Sequence, residues 1–283
     1  LRSLVGSEMC IRDRFIGGLQ KRSDSGYDKH IYSSKKLIGQ VPLGNRKDIR
    51  DAVEYASNES KWRSMSAHAR AQVLYYAAEN LDLRKDEFAQ TIQLMTGENG
   101  KDEVDQALEN IFYFASWADK FEGTIHNVPI RGVSLAMKEP LGVIAIVCPD
   151  NNPLLSFIHL VFSALCMGNT VVVVPSEKHP LCAIDMYQIF ETSDFPPGAI
   201  NIVTGNRDEL SETLSKHMQV DGIWYFGSKE GSKKIEENSN SNLKQTWVNN
   251  GLSYSWINLP KEIKMKSLQK SIQIKNIWIP YGE

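Results

Sequence analysis

From residue 140 onwards the sequence alternates short, strongly apolar runs with helical stretches, and this alternation restricts the fold more than any other feature. The runs are GVIAIVC, TVVVVP, AINIVTG, DGIWYF and LKQTWV. Continuous runs of this kind are typical of strands that are buried on both faces of a parallel sheet. Residues 140–258 are therefore predicted to form a doubly wound, Rossmann-like α/β sheet, with a ligand crevice at the carboxyl ends of its strands.

The preceding residues, 45–122, are predicted to form antiparallel helices. Asn45 is placed to cap the first of them, and Asp48 in its first turn favours the helix dipole. Helical spacing between residues 65 and 83 predicts one buried stripe. The stripe consists of Met65, Ala69, Val73, Tyr76, Asn80 and Leu83. Residues 259–283 form a C-terminal tail, whose IKNIWIP segment is expected to return as an edge strand.

The first fourteen residues, LRSLVGSEMCIRDR, are unlike the rest of the chain. They begin without Met and contain no apolar stretch long enough for a signal peptide. They resemble the translation of a sequencing adapter. We expect residues 1–14 to be an artefact or a short disordered terminus, and the domain proper to span residues 15–258.

The overall charge is nearly balanced, because 32 Lys and Arg residues oppose 34 Asp and Glu residues. This balance gives no electrostatic argument for a nucleic acid or a membrane surface as partner. The most apolar stretch, residues 153–175, is broken by His159 and by Gly168-Asn169-Thr170. No uninterrupted part of it therefore reaches the roughly 20 residues that a helix needs to cross a bilayer.

The cysteines form no C-x-x-C pair, and the histidines show no spacing typical of metal ligands. The cysteines are Cys10, Cys148, Cys166 and Cys182. We therefore expect reduced thiols in a cytoplasmic protein and no metal site.

Polar and turn-forming residues follow the predicted strands at the edge where the crevice should lie. The four segments are Cys148-Pro149-Asp150-Asn151, Pro175-Ser176-Glu177, Thr204-Gly205-Asn206 and Phe226-Gly227-Ser228. Taken singly, each has a structural explanation, since proline stops strands, glycine makes turns, and Asn and Ser cap helices. The dinucleotide fingerprint G-x-G-x-x-G and the P-loop are both absent from the sequence.

Taken together, these segments resemble the aldehyde dehydrogenase superfamily. The resemblance rests on GVIAIVCPDNNPLL, VVVVPSEKHP, PPGAINIVTG and YFGSKEGS in this order, and it covers residues 15–258. With the tail KNIWIPYGE, the chain is most similar to the C-terminal half of the tandem, family-16 type. In this family a cysteine thiolate attacks the aldehyde, hydride passes to NAD(P), and water activated by a carboxylate releases the acid.

The resemblance implies a weakened cofactor site. Ser176 and Glu177 belong to the family's K-P-S-E segment, in which the Lys is replaced by Val174; Glu177 is expected to accept from ribose hydroxyls and to favour NAD over NADP. The remaining cofactor positions are Pro149, Gly205, Gly227 and Ser228. The last two open a helix, whose N–H groups favour phosphate. The Trp of the family's P-W-N motif is replaced by Asp150, whose charge would repel a diphosphate.

The resemblance also implies that the general base and the nucleophile of the reaction are missing. Asn151 stands at the position of the oxyanion donor. Asn249 occupies the position of the Glu general base, and an amide takes no proton from water at neutral pH. The nucleophile should follow that position, but the last cysteine is Cys182.

We therefore expect a non-catalytic aldehyde dehydrogenase domain, the second half of a tandem protein. Two alternatives stay open: an incomplete chain of an active NAD(P)-dependent enzyme whose nucleophile lies in another domain, and a module that senses NAD. Residues 124–138 are either an arm that contacts a second copy or a partner domain, or a hairpin packed on its own domain.

Overall fold

The structure is a computed structural model that describes residues 13–33, 35–129 and 131–281. The strands are β1 (Arg14–Ile16), β2 (Leu19–Lys21), β3 (Asp28–Ser33), β4 (Lys36–Pro42), β5 (Thr124–His126), β6 (Gly132–Pro140), β7 (Val143–Val147), β8 (Thr170–Val174), β9 (Ile200–Ile202), β10 (Gly222–Tyr225), β11 (Gln245–Val248) and β12 (Ile272–Pro280). The helices are α1 (Arg46–Asn58), α2 (Lys61–Ser64), α3 (Ala67–Asp82), α4 (Lys85–Thr96), α5 (Gly100–Trp117), α6 (Pro153–Cys166), α7 (Leu181–Thr192), α8 (Arg207–Lys216), α9 (Lys229–Ser239) and α10 (Lys261–Lys270).

The central sheet has the strand order β11-β10-β7-β8-β9-β1-β2 within the described residues. The five strands from β11 to β9 are parallel, which confirms the predicted doubly wound α/β fold. The antiparallel pair β1 and β2 extends the sheet beyond β9. Because the chain moves outwards from β7 to β9 and then returns to place β10 beside β7, the topological switch point lies between β7 and β10.

Alternate residues of each central strand enter two separate hydrophobic cores. In β7, Ile144 and Ile146 belong to the core shared with α3, α5, α6 and α7. Val143, Ala145 and Val147 belong to the core shared with α1, α8 and α9. All five side chains are fully buried or nearly so. The strand is apolar throughout because it must satisfy both faces of the sheet.

The first helix of the N-terminal part, α1, has the N-terminal cap that the sequence predicts. The side chain of Asn45 accepts from Lys47 N at 2.8 Å and from Asp48 N at 3.2 Å, while the Asp48 carboxylate accepts from Asn45 N at 3.1 Å. This reciprocal arrangement is a capping box. It holds the start of α1 beside the edge of the sheet.

The predicted buried stripe on α3 is wrong in part. Tyr76 is 52% exposed and Leu83 is 83% exposed, although Val73 is buried. The face that packs against α5 and α7 is instead made from Leu74, Leu81 and alanines near them in the helix. Its alanines are Ala71, Ala77 and Ala78. Alanine allows close approach of neighbouring helices, whereas the larger Tyr76 projects from the other side.

The termini contribute to the fold in different ways. Residues 1–12 lie outside the described residues. Arg14, the last residue of the segment expected to be an artefact or a disordered terminus, begins β1, and its guanidinium pairs with the fully buried carboxylate of Asp48. At the other end, β12 is an outer strand of a separate sheet with the order β12-β6-β5. None of the described helices is long and apolar enough to cross a bilayer.

Candidate functional site

A cleft of about 210 Å³ lies at the switch point, beyond the carboxyl ends of β7 and β10. Its lining residues are Pro149, Asp150, Asn151, Arg207, Phe226, Gly227, Asn249, Gly251, Leu252, Ser253, Tyr254 and Trp256. Among the residues singled out from the sequence, Pro149, Asn151, Gly227 and Asn249 therefore meet in one cleft. This is the place where open α/β sheets bind their ligands.

Asn151 is hydrogen-bonded to the segment after β11, which forms one wall of the cleft. Its Nδ2 atom donates to the carbonyl oxygen of Tyr254 at 2.8 Å. The ring of Tyr254 in turn contacts Phe226 and Trp256, with centroids 5.7 and 5.9 Å away. One amide proton of Asn151 is therefore engaged in fixing the chain at Tyr254, and its other amide proton is the one that a ligand in the cleft could use.

Asn249 acts as a clamp between two segments of backbone. Its Oδ1 atom accepts from Gly227 N at 3.1 Å and from Gly251 N at 3.4 Å, while its Nδ2 atom donates to Leu252 O at 2.8 Å. The residue is only 8% exposed. Both ends of the amide are thus occupied by the backbone of the cleft, which fixes the loop after β11 to the end of β10.

Asp150 forms an ion pair across the cleft. Its Oδ1 atom lies 2.5 Å from Nη2 of Arg207 and also accepts from Ser176 Oγ at 2.8 Å and Lys178 N at 3.4 Å. Burial alone would raise the pKa of Asp150, but the charge of Arg207 and the hydrogen bonds from Arg207 and Ser176 lower this pKa below its ordinary value. The carboxylate is therefore charged at neutral pH.

The K-P-S-E segment is held by partners within the chain. Glu177 Oε1 lies 3.4 Å from Lys29 Nζ, which also donates to the Glu177 carbonyl at 3.0 Å. Glu177 Oε2 accepts from Arg207 N at 3.0 Å. Ser176 Oγ accepts from His179 N at 3.0 Å besides donating to Asp150. Both side chains that the resemblance assigns to a cofactor already serve the local backbone.

Gly205 and Ser228 have structural contacts of their own. Gly205 pairs with Gly44, and a Cβ atom added to it would lie 2.9 Å from the Gly44 carbonyl oxygen. Close approach of these two backbones therefore requires glycine. Ser228 caps α9, since its Oγ accepts from Gly231 N at 2.9 Å. Gly205 packs the sheet edge, and Ser228 starts the helix beside the cleft.

The described thiols are closed off from the cleft. Cys148, Cys166 and Cys182 are each 0% exposed. Burial raises the pKa of Cys148 and of Cys166, which disfavours the thiolate. Cys10 lies outside the described residues. Among those that are described, no group of three or more His, Cys, Asp or Glu residues is arranged to hold a metal ion.

Two charged residues of this region were not assigned a role from the sequence. Arg207 lines the cleft, and Glu103 on α5 accepts from Leu154 N at 2.8 Å and Leu155 N at 3.0 Å at the start of α6. Burial raises the pKa of Glu103, and the two backbone hydrogen bonds act in the opposite direction. A signal for Arg207 was present, because Asn206-Arg207-Asp208-Glu209 follows Gly205 where the resemblance implies a glycine-rich turn, and the charge of Arg207 is opposite to that of Asp150.

Several backbone donors at the helix N-termini around the cleft already have partners within the chain. The N–H groups at the start of α6 are bound by Glu103, those of α8 by Asn206 and Glu177, and that of Gly231 in α9 by Ser228. Helix N-termini are the usual phosphate sites of this fold. Here these donors, like the carboxylate of Glu177, are satisfied within the chain.

Comparisons with known proteins agree with this architecture. The family model for the aldehyde dehydrogenase family matches residues 20–259. Retinaldehyde dehydrogenase 3 of Mus musculus is 34% identical over 258 residues, which are 86% of this chain and 50% of the relative. Aldehyde dehydrogenase, cytosolic 1, of Elephantulus edwardii is 31% identical over 244 residues, 82% of this chain and 48% of the relative.

Solved structures give the same result. The NAD⁺ complex of an aldehyde dehydrogenase from Bacillus cereus has a TM-score of 0.80 at 26% identity and covers 83% of this chain and 50% of its own. PnpE from Pseudomonas sp. WBC-3 has a TM-score of 0.81 at 28% identity, covering 84% of this chain and 50% of its own. The chain spans about half the length of the curated relatives it matches. By its sequence match and by its sheet alike, the chain belongs to the aldehyde dehydrogenase family.

Proposed function

We propose that this chain is a non-catalytic domain of the aldehyde dehydrogenase family, the second half of a tandem protein of the family-16 type. The observation that carries the proposal is the state of Asn249. At the position that the resemblance gives to the general base stands a buried amide, and both of its ends are bonded to backbone. Loss of a general base typically lowers the rate by about 10² to 10⁴.

The thiols support the same proposal. A nucleophilic cysteine needs thiolate character and access to the substrate. Cys148 adjoins the cleft residue Pro149 in sequence but is fully buried. The cleft therefore contains an oxyanion-donor candidate, Asn151, with no described thiol beside it.

NAD binding by this chain is proposed to be weak. The Bacillus cereus structure and a betaine aldehyde dehydrogenase from Staphylococcus aureus are complexes with NAD⁺. In this chain Glu177 and the helix N-termini of the cleft have internal partners, which a dinucleotide would have to displace.

We also propose a cytoplasmic location, which the buried thiols and the cytosolic relative support.

The proposal is tested with the full chain, NAD⁺ or NADP⁺, and a panel of aliphatic and aromatic aldehydes. We expect no formation of reduced cofactor above the rate without protein. The variant Asn249→Glu should also be inactive, because a base alone does not replace the nucleophile. Aldehyde-dependent reduction of either cofactor by the unmodified chain would overturn the proposal.

A second function is favoured by one observation, namely that the chain spans about half of its relatives. On this alternative the chain is an incomplete part of an active NAD(P)-dependent dehydrogenase whose nucleophile lies in another domain. The intact gene distinguishes the two functions. A further domain with a nucleophilic Cys, and aldehyde oxidation by the joined protein that stops when that Cys becomes Ala, would establish the alternative.

We further propose that the sheet of β5, β6 and β12 contacts a second copy or a partner domain. Ile125, Leu135 and Ile277 are cross-strand neighbours on one face, and Ile279 extends the row. Ile125 and Ile279 are 75% and 50% exposed. Light scattering after gel filtration should show a dimer that Ile279→Lys dissociates, whereas Ile274→Lys on the opposite face leaves it intact. A monomeric wild-type chain would refute the self-association.

A further inference from the structure

An acidic and a basic side chain at the switch point neutralise each other's charge within the cleft. Asp150 is contributed by the end of β7, whereas Arg207 begins α8, and the two meet inside the cleft. Their side chains are 25% and 14% exposed. A largely buried pair of this kind interacts strongly, because solvent screens it little.

Arg207 has hydrogen-bonding capacity that the chain does not use. Its Nη2 atom binds Asp150, but its Nε atom is buried without a hydrogen-bond partner. A guanidinium donates most effectively as a fork, through two parallel N–H groups, and phosphate oxygens match this geometry. The side chain is thus held by a single carboxylate oxygen in a cleft where this fold places a nucleotide's phosphates.

We propose that the ion pair of Asp150 and Arg207 holds closed a latent site for the diphosphate of a nucleotide. The carboxylate repels the diphosphate and also occupies the guanidinium that would bind it. The inference rests on the proposed function, because it explains how the cleft excludes a dinucleotide in a chain that does not use one. On this inference the negative charge of Asp150, and not a lack of space in the cleft, excludes the dinucleotide.

Substitution of Asp150 should therefore raise the affinity for a diphosphate, whereas substitution of Arg207 should not. Asp150→Asn keeps the oxygen that accepts from Arg207, Ser176 and Lys178 but removes the negative charge, so the charge of Arg207 is no longer neutralised and can attract phosphate. Arg207→Met removes the guanidinium and leaves the repelling carboxylate. A merely structural pair would give two destabilised variants with unchanged binding, and a steric obstruction would give two variants with improved binding.

Calorimetric titration of each folded variant with NAD⁺, ADP and adenosine measures the difference. We expect Asp150→Asn to bind NAD⁺ and ADP about tenfold more tightly than wild type, equivalent to about 1.4 kcal/mol, and adenosine no better. Arg207→Met and the double variant should show no gain. Glu139→Gln removes one negative charge on the distant β6 and is the matched control, since it should also show no gain.

Circular dichroism establishes that each variant is folded, and Asp150→Ser replaces Asp150→Asn if the latter is not. An equal gain in Asp150→Asn and Arg207→Met, an equal gain in Glu139→Gln, a gain for adenosine, or no gain in any variant would each overturn the inference. These outcomes are separate from the proposed function. Aldehyde turnover by the wild-type chain would refute that function, whereas a failure of Asp150→Asn to gain affinity would refute only the latent diphosphate site.

Discussion

Exchange of Asn249 for Asp is the sharpest test of the clamp that this residue forms. The substitution keeps the Oδ1 atom that accepts from Gly227 N, but it turns the donor that faces Leu252 O at 2.8 Å into a second oxygen. When the new carboxyl group is ionised, two oxygens face each other in a site that is 8% exposed in the wild type. When it is protonated, it can donate to Leu252 O as the amide does.

The magnitude follows from the lost hydrogen bond and the unsatisfied oxygens. A net hydrogen bond is worth about 1 kcal/mol, and an unsatisfied buried partner adds about 1–3 kcal/mol, so we expect a loss of about 3 kcal/mol of unfolding free energy at pH 8. Since one pKa unit corresponds to about 1.4 kcal/mol, the folded-state pKa of the new carboxyl should be about two units above its unfolded value of about 3.9. A raised folded-state pKa means that the loss is absent below about pH 4 and grows to its full size above about pH 6.

Urea unfolding, followed by circular dichroism at several pH values, measures this loss relative to the wild type at each pH. Asn250→Asp is the matched control. Asn250 is exposed and has a φ of 53°, a conformation that Asp tolerates, so its unfolding free energy should change by less than about 0.5 kcal/mol. A loss for Asn249→Asp that is below about 1 kcal/mol at pH 8, or that does not depend on pH, would refute the clamp.

Three further predictions concern stability, each measured by urea unfolding. Burial, with the charge of Lys264 nearby, lowers the pKa of His159 to about 3. Unfolding therefore takes up a proton between about pH 6.5 and pH 3, and the unfolding free energy falls by about 1.4 kcal/mol per pH unit of acidification in this range. His159→Gln should remove this pH dependence, whereas His126→Gln, at an exposed site, should not. Arg14→Met should cost about 3–5 kcal/mol, because it leaves a buried carboxylate unpaired, and a cost below 1 kcal/mol would contradict this. Lys244→Met should cost about 2 kcal/mol, because Nζ donates to the carbonyls of residues 215 and 217 at the end of α8; an unchanged midpoint would contradict it.

The parallel sheet could be predicted because its signal is local. Each central strand must be apolar on both faces, and the residues that start and end the helices between the strands can be recognised in the local sequence. Residues 143–147 and 170–174 are examples, with every residue buried. The face of α3 could not be predicted in the same way. Ala71, Ala77 and Ala78 fit either a core or a surface, and only the neighbouring helices decide between them.

The position of the cleft could also be predicted, since parallel strands end at a common edge, and Asn151, Gly227 and Asn249 do meet there. The partners of these side chains could not. The bond from Leu154 N to Glu103 joins residues 51 positions apart, and that from Lys29 to Glu177 joins residues 148 apart. Such bonds depend on how α5 and the β3–β4 hairpin pack, which the spacing of the residues does not encode.

The pair of Asp150 and Arg207 shows why departures from a family pattern should be considered together. Taken separately, Asp150 in place of the family's Trp and the charged turn that contains Arg207 in place of a glycine-rich turn are two independent departures from the family pattern. In the fold the two side chains touch, and each neutralises the other at 2.5 Å. A mostly buried charge without its partner costs several kcal/mol. Neither residue is therefore tolerated well without the other, and the two departures amount to one change in the charge of the cleft.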